Sequence, residues 1–323
     1  MKIRILSAVC ALCLPACGGA ETDTSDAPAT ADTAAAEEQP DPDHRLAWVD
    51  ASGTVLGTIG PVMSSILDPA IDPDGNAIAV RGRMTPDERD HLYVLQGSTA
   101  VRLTDNEGFE RHMAYSPDGS RIAYSIQEPG GVSNLYVRPA DESGEDRPLV
   151  VSEGMHKWYP SWTPDGSTVV FHTNDPETEA RDLWYVDVET GETSVLVDDP
   201  GIQALARVSR DGRFVAYQSD QDGQMEIYVT TFPASDARWR VSPSGGTWAK
   251  WSEDRLYYWE GNQLMAVDVS SEADGGFDDV VPEPLFTGAE VGMGADNTMS
   301  SYNPEYDVTA DGSRFVVTQR VDG

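Results

Sequence analysis

Four residues before each of six regularly spaced aspartates, the chain carries Ala70, Ala114, Ser161, Arg207, Lys250 and Asp307. Three are small and three are charged, and the charged ones occupy consecutive copies. Two cations and a carboxylate at one register can close on each other as an internal salt-bridged plug, or stand ready for a polar ligand. A second set is Arg111-His112 and His156-Lys157, whose imidazoles and ammonium are the types used for proton transfer or ligand binding. The familiar catalytic and metal signatures are missing from the sequence. It has no Gly-x-Ser-x-Gly elbow, no His-Glu-x-x-His pair, no Cys-x-x-Cys and no phosphate loop, so no cofactor, metal or catalytic residue is assigned. Asp220-Gln221-Asp222-Gly223 has calcium-loop composition, but Glu226 follows too soon for an EF-hand. It reads as a hairpin turn.

These residues are organised by a repeat. Asp74, Asp118, Asp165, Asp211, Asp254 and Asp311 are separated by 44, 47, 46, 43 and 57 residues, which is blade-like spacing. Three residues before each comes Ile71, Tyr115, Trp162, Val208, Trp251 or Val308; four after the full-length turns comes Ile78, Ile122, Val169, Val215 or Phe315. Apolar residues flanking Asp-Gly predict a β-hairpin, and the aspartates themselves are turn residues accepting backbone N–H bonds. The copy at Trp251–Leu256 lacks the glycine and is shorter. A second phrase follows each of the first five hairpins, as in Leu92-Tyr93-Val94 and Ile227-Tyr228-Val229. The sixth has no follower, but Leu46-Ala47-Trp48-Val49 and Thr54–Ile59 precede the first. The expectation is an all-β, six-bladed propeller of four-stranded antiparallel blades over residues 44–323, its last blade completed by the N-terminal strands, which removes exposed sheet edges.

The phrases Ser116-Pro117-Asp118-Gly119-Ser120-Arg121-Ile122-Ala123-Tyr124 and Thr163-Pro164-Asp165-Gly166 resemble the WD-like repeats of TolB-like propellers. The stretch from Val208 to Val317, with Gln218-Ser219-Asp220, Glu226-Ile227-Tyr228-Val229 and Tyr306-Asp307-Val308, is similar to propellers borne outside the membrane by some bacterial serine/threonine kinases. The resemblance implies scaffolds, sensors, substrate-gating modules of peptidases and a few lyases. In such a fold the innermost strands approach the axis and the loops entering them ring one mouth. That places Arg207, Lys250, Asp307, Arg111, His112, His156 and Lys157 as candidate channel groups.

Residues 1–16 have a basic start at Lys2 and Arg4 and an apolar run from Ile5 to Ala16, too short to span a bilayer and laid out as an export signal. Leu14-Pro15-Ala16-Cys17 resembles a bacterial lipobox, implying lipidation of Cys17. Gly18 follows where an aspartate would favour inner-membrane retention, so the expected address is the outer membrane facing the periplasm. Cys10, Cys13 and Cys17 are the only cysteines, so a mature domain acylated at Cys17 has no disulfide. Residues 17–43 are Ala-, Thr-, Asp-, Glu- and Pro-rich without an aromatic residue. They read as a disordered acidic linker with a root-mean-square span of roughly 30 Å. The formal net charge is −33, which disfavours nucleic acid and anionic lipid as partners. The sequence therefore reads as a lipid-anchored, monomeric envelope module that binds a protein segment or a small polar ligand. The alternative is a hydrolase or lyase acting on peptides or acidic polysaccharide around His112, His156 and Lys157.

Overall fold

The repeat becomes a ring of six four-stranded antiparallel sheets in a computed structural model. It describes residues 43–141, 143–235, 237–269, 276–278, 280–293 and 305–321; the export signal, Cys17 and the acidic linker lie outside them, except that Asp43, expected as the last linker residue, is the first of β1. The chain enters through β1 (Asp43–Asp50) and β2 (Val55–Met63). Blade 1 is β3 (Ser65–Ile71), β4 (Ala77–Arg83), β5 (His91–Gln96) and β6 (Thr99–Arg102). Blade 2 is β7 (Phe109–Tyr115), β8 (Arg121–Gln127), β9 (Ser133–Pro139) and β10 (Arg147–Val150). Blade 3 is β11 (His156–Trp162), β12 (Thr168–Asn174), β13 (Leu183–Asp187) and β14 (Thr193–Val197). Blade 4 is β15 (Gln203–Val208), β16 (Phe214–Ser219), β17 (Glu226–Thr231) and β18 (Arg238–Arg240). Blade 5 is β19 (Thr247–Trp251), β20 (Arg255–Glu260), β21 (Gln263–Asp268) and β22 (Glu283–Thr287). Blade 6 adds β23 (Tyr306–Val308) and β24 (Arg314–Val321) to the entering strands, in the order β2-β1-β24-β23.

Ring closure is the β1–β24 ladder, unbroken from Asp43↔Val321 to Asp50↔Arg314. Its Leu46, Ala47 and Val49 are completely buried. On the outer side, the Gly60 N–H of β2 donates to Gly97 O of blade 1 at 2.8 Å, joining the closing blade to the first.

The core lies between blades. Leu46 and Trp48 of blade 6 pack with Ile78, Val80 and Leu95 of blade 1, and Ala70 and Leu92 of blade 1 pack with Ile122 and Tyr124 of blade 2. The same sharing continues round the ring. Because each second strand is covered on both faces, β4, β8, β12 and β16 show continuous buried runs in place of the in–out alternation of a half-exposed sheet.

The repeat aspartates serve the turns. Asp118 Oδ1 accepts from Ser116 Oγ at 2.6 Å and from the Ser120 N–H at 3.1 Å; Asp165 and Asp311 do the same with Thr163 and Ser167, and with Thr309 and Ser313. These bonds favour the carboxylate and hold Asp118 and Asp311 at about 2. The following glycines, such as Gly119 at φ 69° and Gly312 at φ 67°, supply the left-handed conformation. In blade 1 the role moves to Asp72, whose Oδ1 accepts from the N–H groups of Asn76 and Ala77 at 2.7 and 2.8 Å. The segment Asp220–Gly223 is the expected turn between β16 and β17. Asp222 there accepts from Tyr228 Oη at 2.5 Å, and Asp220 from the Ile202 N–H at 2.7 Å.

Candidate functional site

The innermost strands β3, β7, β11, β15, β19 and β23 bring one register to the axis. Ala70, Ala114, Ser161, Arg207, Lys250 and Asp307 all line a single cavity of about 300 Å³ at the mouth formed by the repeat turns. The register also fastens neighbouring blades. Asp307 Oδ2 accepts from the Ile71 N–H at 2.9 Å, and Ser161 Oγ from the Val208 N–H at 3.0 Å. Trp162 Nε1 donates to Ala114 O at 3.1 Å, and Trp251 Nε1 to Arg207 O at 2.9 Å.

Lys250 Nζ lies 3.0 Å from Asp307 Oδ1, with both side chains largely covered. Burial draws the Lys250 pKa down, and Asp307 opposes that shift. Arg207 behaves differently. Its Nη1 donates to Ala206 O at 2.9 Å and its guanidinium lies 5.6 Å from the Tyr159 ring centroid. Among the described residues no carboxylate comes within 4 Å of it. Burial pulls its pKa below the usual guanidinium value, with Asp307 acting the other way at longer range. The expected internal pairing of the trio thus covers two of its three members, because Asp307 spends its second oxygen on the next blade's backbone.

Two residues earlier in five of the inner strands the register shifts by a β-bulge. The bulged residues Asp68, His112, Tyr159, Leu205 and Trp248 have φ of 53°, 54°, 56°, 53° and 59°, a left-handed conformation that L side chains seldom adopt. All five are buried. His112 stacks on Tyr159 at 3.7 Å and Tyr159 on His172 at 5.4 Å. Tyr159, Leu205, Trp248 and Tyr306, from four blades, share one core cluster, and Tyr306 Oη donates to Trp248 O at 2.5 Å. The axis is filled at this level, so the cavity has a floor. Sequence reading missed this ring because its five side chains have no common type. Only the constant offset of six residues from the repeat aspartate marks them.

Arg111, His112, His156 and Lys157 do not line the cavity. The sequence placed His112 and His156 in loops before the inner strands. They lie inside β7 and β11 instead, since polar residues are tolerated in strands that face the axis or a neighbouring blade. Burial drives His112 and His172 well below the ordinary imidazole pKa, with Arg81 adding to the shift at His112 and Arg181 at His172. His156 Nδ1 accepts from the Ser133 N–H at 2.9 Å and its ring stacks on Trp158. Lys157 Nζ donates to Ser152 O at 2.6 Å and Asn134 Oδ1 at 3.0 Å, and burial lowers its pKa to about 8. This pair joins blades 2 and 3. Arg111 lies beside the floor, its Nε buried without a hydrogen-bond partner. Among the described residues no three His, Cys, Asp or Glu side chains are grouped to hold a metal ion.

Comparison with known proteins gives three kinds of match. Residues 110–283 fit the family model described as prolyl oligopeptidase, N-terminal beta-propeller domain. An uncharacterized protein of Agrobacterium fabrum is 25% identical over 133 residues, 41% of this chain and 44% of that protein. The Tol-Pal system protein TolB of Histophilus somni is 32% identical over 82 residues, 25% of this chain and 18% of its own length. The chain therefore matches less than half the length of either curated relative. Among solved structures, that of a putative TolB from Agrobacterium tumefaciens superposes with a TM-score of 0.65 at 17% identity, over 87% of this chain and 99% of that one.

Proposed function

Since the chain belongs to the family of prolyl oligopeptidase N-terminal β-propeller domains and has the TolB-like six-bladed fold, we propose that it is a non-catalytic binding or scaffold module. It recognises a protein segment or a small polar ligand at the mouth formed by its repeat turns. The observation that carries this is the floored cavity: all six blades contribute to its wall, while the buried bulge residues close the axis beneath it. Such a recess has one entrance and holds what enters. The catalytic alternative is less well supported, because His112, His156 and Lys157 are engaged elsewhere. The partial identity to a protein named for the Tol-Pal system supports an envelope protein as partner. The lipobox-like Cys17 supports tethering to the cell envelope, at the outer membrane facing the periplasm, through the acidic linker.

Crosslinked envelopes test both parts. Ala114→Trp, which fills the cavity from blade 2, should fold as judged by its melt and lose the protein captured by the wild type. Capture that is undiminished refutes recognition at this mouth. Cys17→Ser should move the protein from the membrane pellet to the soluble fraction or leave its signal uncleaved. Unchanged, lipid-labelled association with the pellet refutes the anchor.

A further inference from the structure

Several other arginines of this acidic protein are matched to carboxylates: Arg81 to Asp68 and Asp90, Arg138 to Asp146, Arg255 to Asp268. Arg207 lines the mouth cavity without such a match among the described residues. Of the five N–H donors a guanidinium carries, one is satisfied among the described residues, Nη1 by Ala206 O. The guanidinium carbon lies 5.6 Å from the centroid of the Tyr159 ring on the floor. Lys250, Asp307 and Asp72 in the lining are committed. Lys250 and Asp307 face each other, Asp307 also accepts from Ile71, and Asp72 caps its own turn. Arg210, exposed at the rim, adds a further cation to the lining.

The cavity wall thus holds Arg207, Arg210 and Lys250 against Asp72 and Asp307, an excess of positive charge in a chain of net charge −33. A covered guanidinium without a counter-ion is costly to the fold, and such costs concentrate where a ligand offsets them. Screening over roughly 8 Å at physiological salt weakens repulsion from the acidic exterior, so the local lining governs what binds.

Resting on the mouth-recognition reading above, we propose that the cavity captures an oxyanion, a carboxylate or phosphate group borne by the recognised ligand, with Arg207 as its fork and Arg210 as a rim cation. The planar guanidinium pairs with two oxygens at once. A volume of about 300 Å³ suits a terminal group and a few atoms behind it rather than a folded segment.

Thermal melts and calorimetry of the intact protein test this with three probes: inorganic phosphate, an acetylated tri-alanine with a free C-terminal carboxylate, and the same peptide as its carboxamide, each against sodium chloride at equal ionic strength. Phosphate or the free-acid peptide should raise the midpoint by about 3 °C at ten times its Kd, and the carboxamide should not. The more strongly bound of the two identifies the source of the anion. Arg207→Met should abolish the shift and melt no lower than wild type, because it removes an uncompensated charge. Arg207→Lys, which keeps the charge without the fork, should bind at least tenfold more weakly. Arg147→Gln, on exposed β10, should bind as wild type does. The proposal is overturned if no probe exceeds the chloride control, if Arg207→Met keeps the shift, or if Arg207→Met melts well below wild type. Should Ala114→Trp lose its captured partner while no probe binds, mouth recognition stands and the oxyanion is wrong.

Discussion

Replacing Lys250 by methionine tests the Lys250–Asp307 ion pair inside the mouth. The ammonium sits 3.0 Å from Asp307 Oδ1, with side-chain exposures of 10% and 16%, so solvent screening is limited. Methionine fills most of the same volume and leaves Asp307 with the Ile71 N–H at 2.9 Å and the more distant influence of Arg207. Breaking a buried pair from one side costs about 3–5 kcal/mol. The surviving backbone bond is worth roughly 1.5–3 kcal/mol to a carboxylate and keeps the loss toward about 2–3 kcal/mol. For a domain this size that lowers Tm by about 4–10 °C. The assay is a double-mutant cycle of Lys250→Met, Asp307→Asn and both together, by thermal and urea melts at pH 7. The asparagine carbonyl still accepts from Ile71, so the double variant should recover about 1 kcal/mol or more relative to the sum of the singles. A Lys250→Met protein as stable as wild type, or strictly additive losses, would refute the argument that this pair is an internal brace.

Gly60→Ala should destabilise by about 2–4 kcal/mol, because φ is +75° and the added Cβ would fall 2.3 Å from Leu95 Cδ2; Gly131→Ala, where the nearest contact is an ordinary 3.5 Å, should be near neutral in the same urea melt. Burial raises Glu110 to about 7, against the hydrogen bonds from Thr104, Leu92 and Asn106. Because its folded pKa lies above the unfolded value of 4.5, its contribution is full below about pH 4.5 and is lost as pH rises through 7. Glu110→Gln should therefore gain stability over wild type by about 1–3 kcal/mol more at pH 8 than at pH 5; an equal difference at both pH values contradicts the shift. Deleting residues 44–60 removes nearly all of β1 and part of β2 and exposes the β24 edge that β1 covers, so cooperative melting should be lost or fall by more than about 10 °C. Deleting residues 20–40 should leave the circular-dichroism melt unchanged, and equal melts for the two deletions would mean the closing register is wrong.

The sequence by itself determined the ring. An Asp-Gly turn with fixed apolar neighbours is local chemistry, written out again in each blade, and its phase revealed both the blade count and the missing strands of the last blade. The same phase identified the register at which Arg207, Lys250 and Asp307 meet on the axis, because equal offsets from equivalent turns occupy equal heights in a ring. Only the tertiary structure decided what those residues do there. Asp307 is shared between Lys250 and the Ile71 N–H of the next blade, and that contact spans 236 residues. Arg207 is left over as a result, which no local pattern records. The floor was equally invisible. Whether Asp68, His112, Tyr159, Leu205 and Trp248 face a neighbouring blade or the axis depends on a bulge that rotates the strand, and the cluster that Tyr159, Leu205 and Trp248 form with Tyr306 exists only once four blades converge on it. His156 and Lys157 show the opposite case. Their polar types suggested a mouth, but Ser133, Asn134 and Ser152 of the preceding blade and its exit loop take up their hydrogen bonds, because a polar side chain is placed by the partners that satisfy it and not by its type alone.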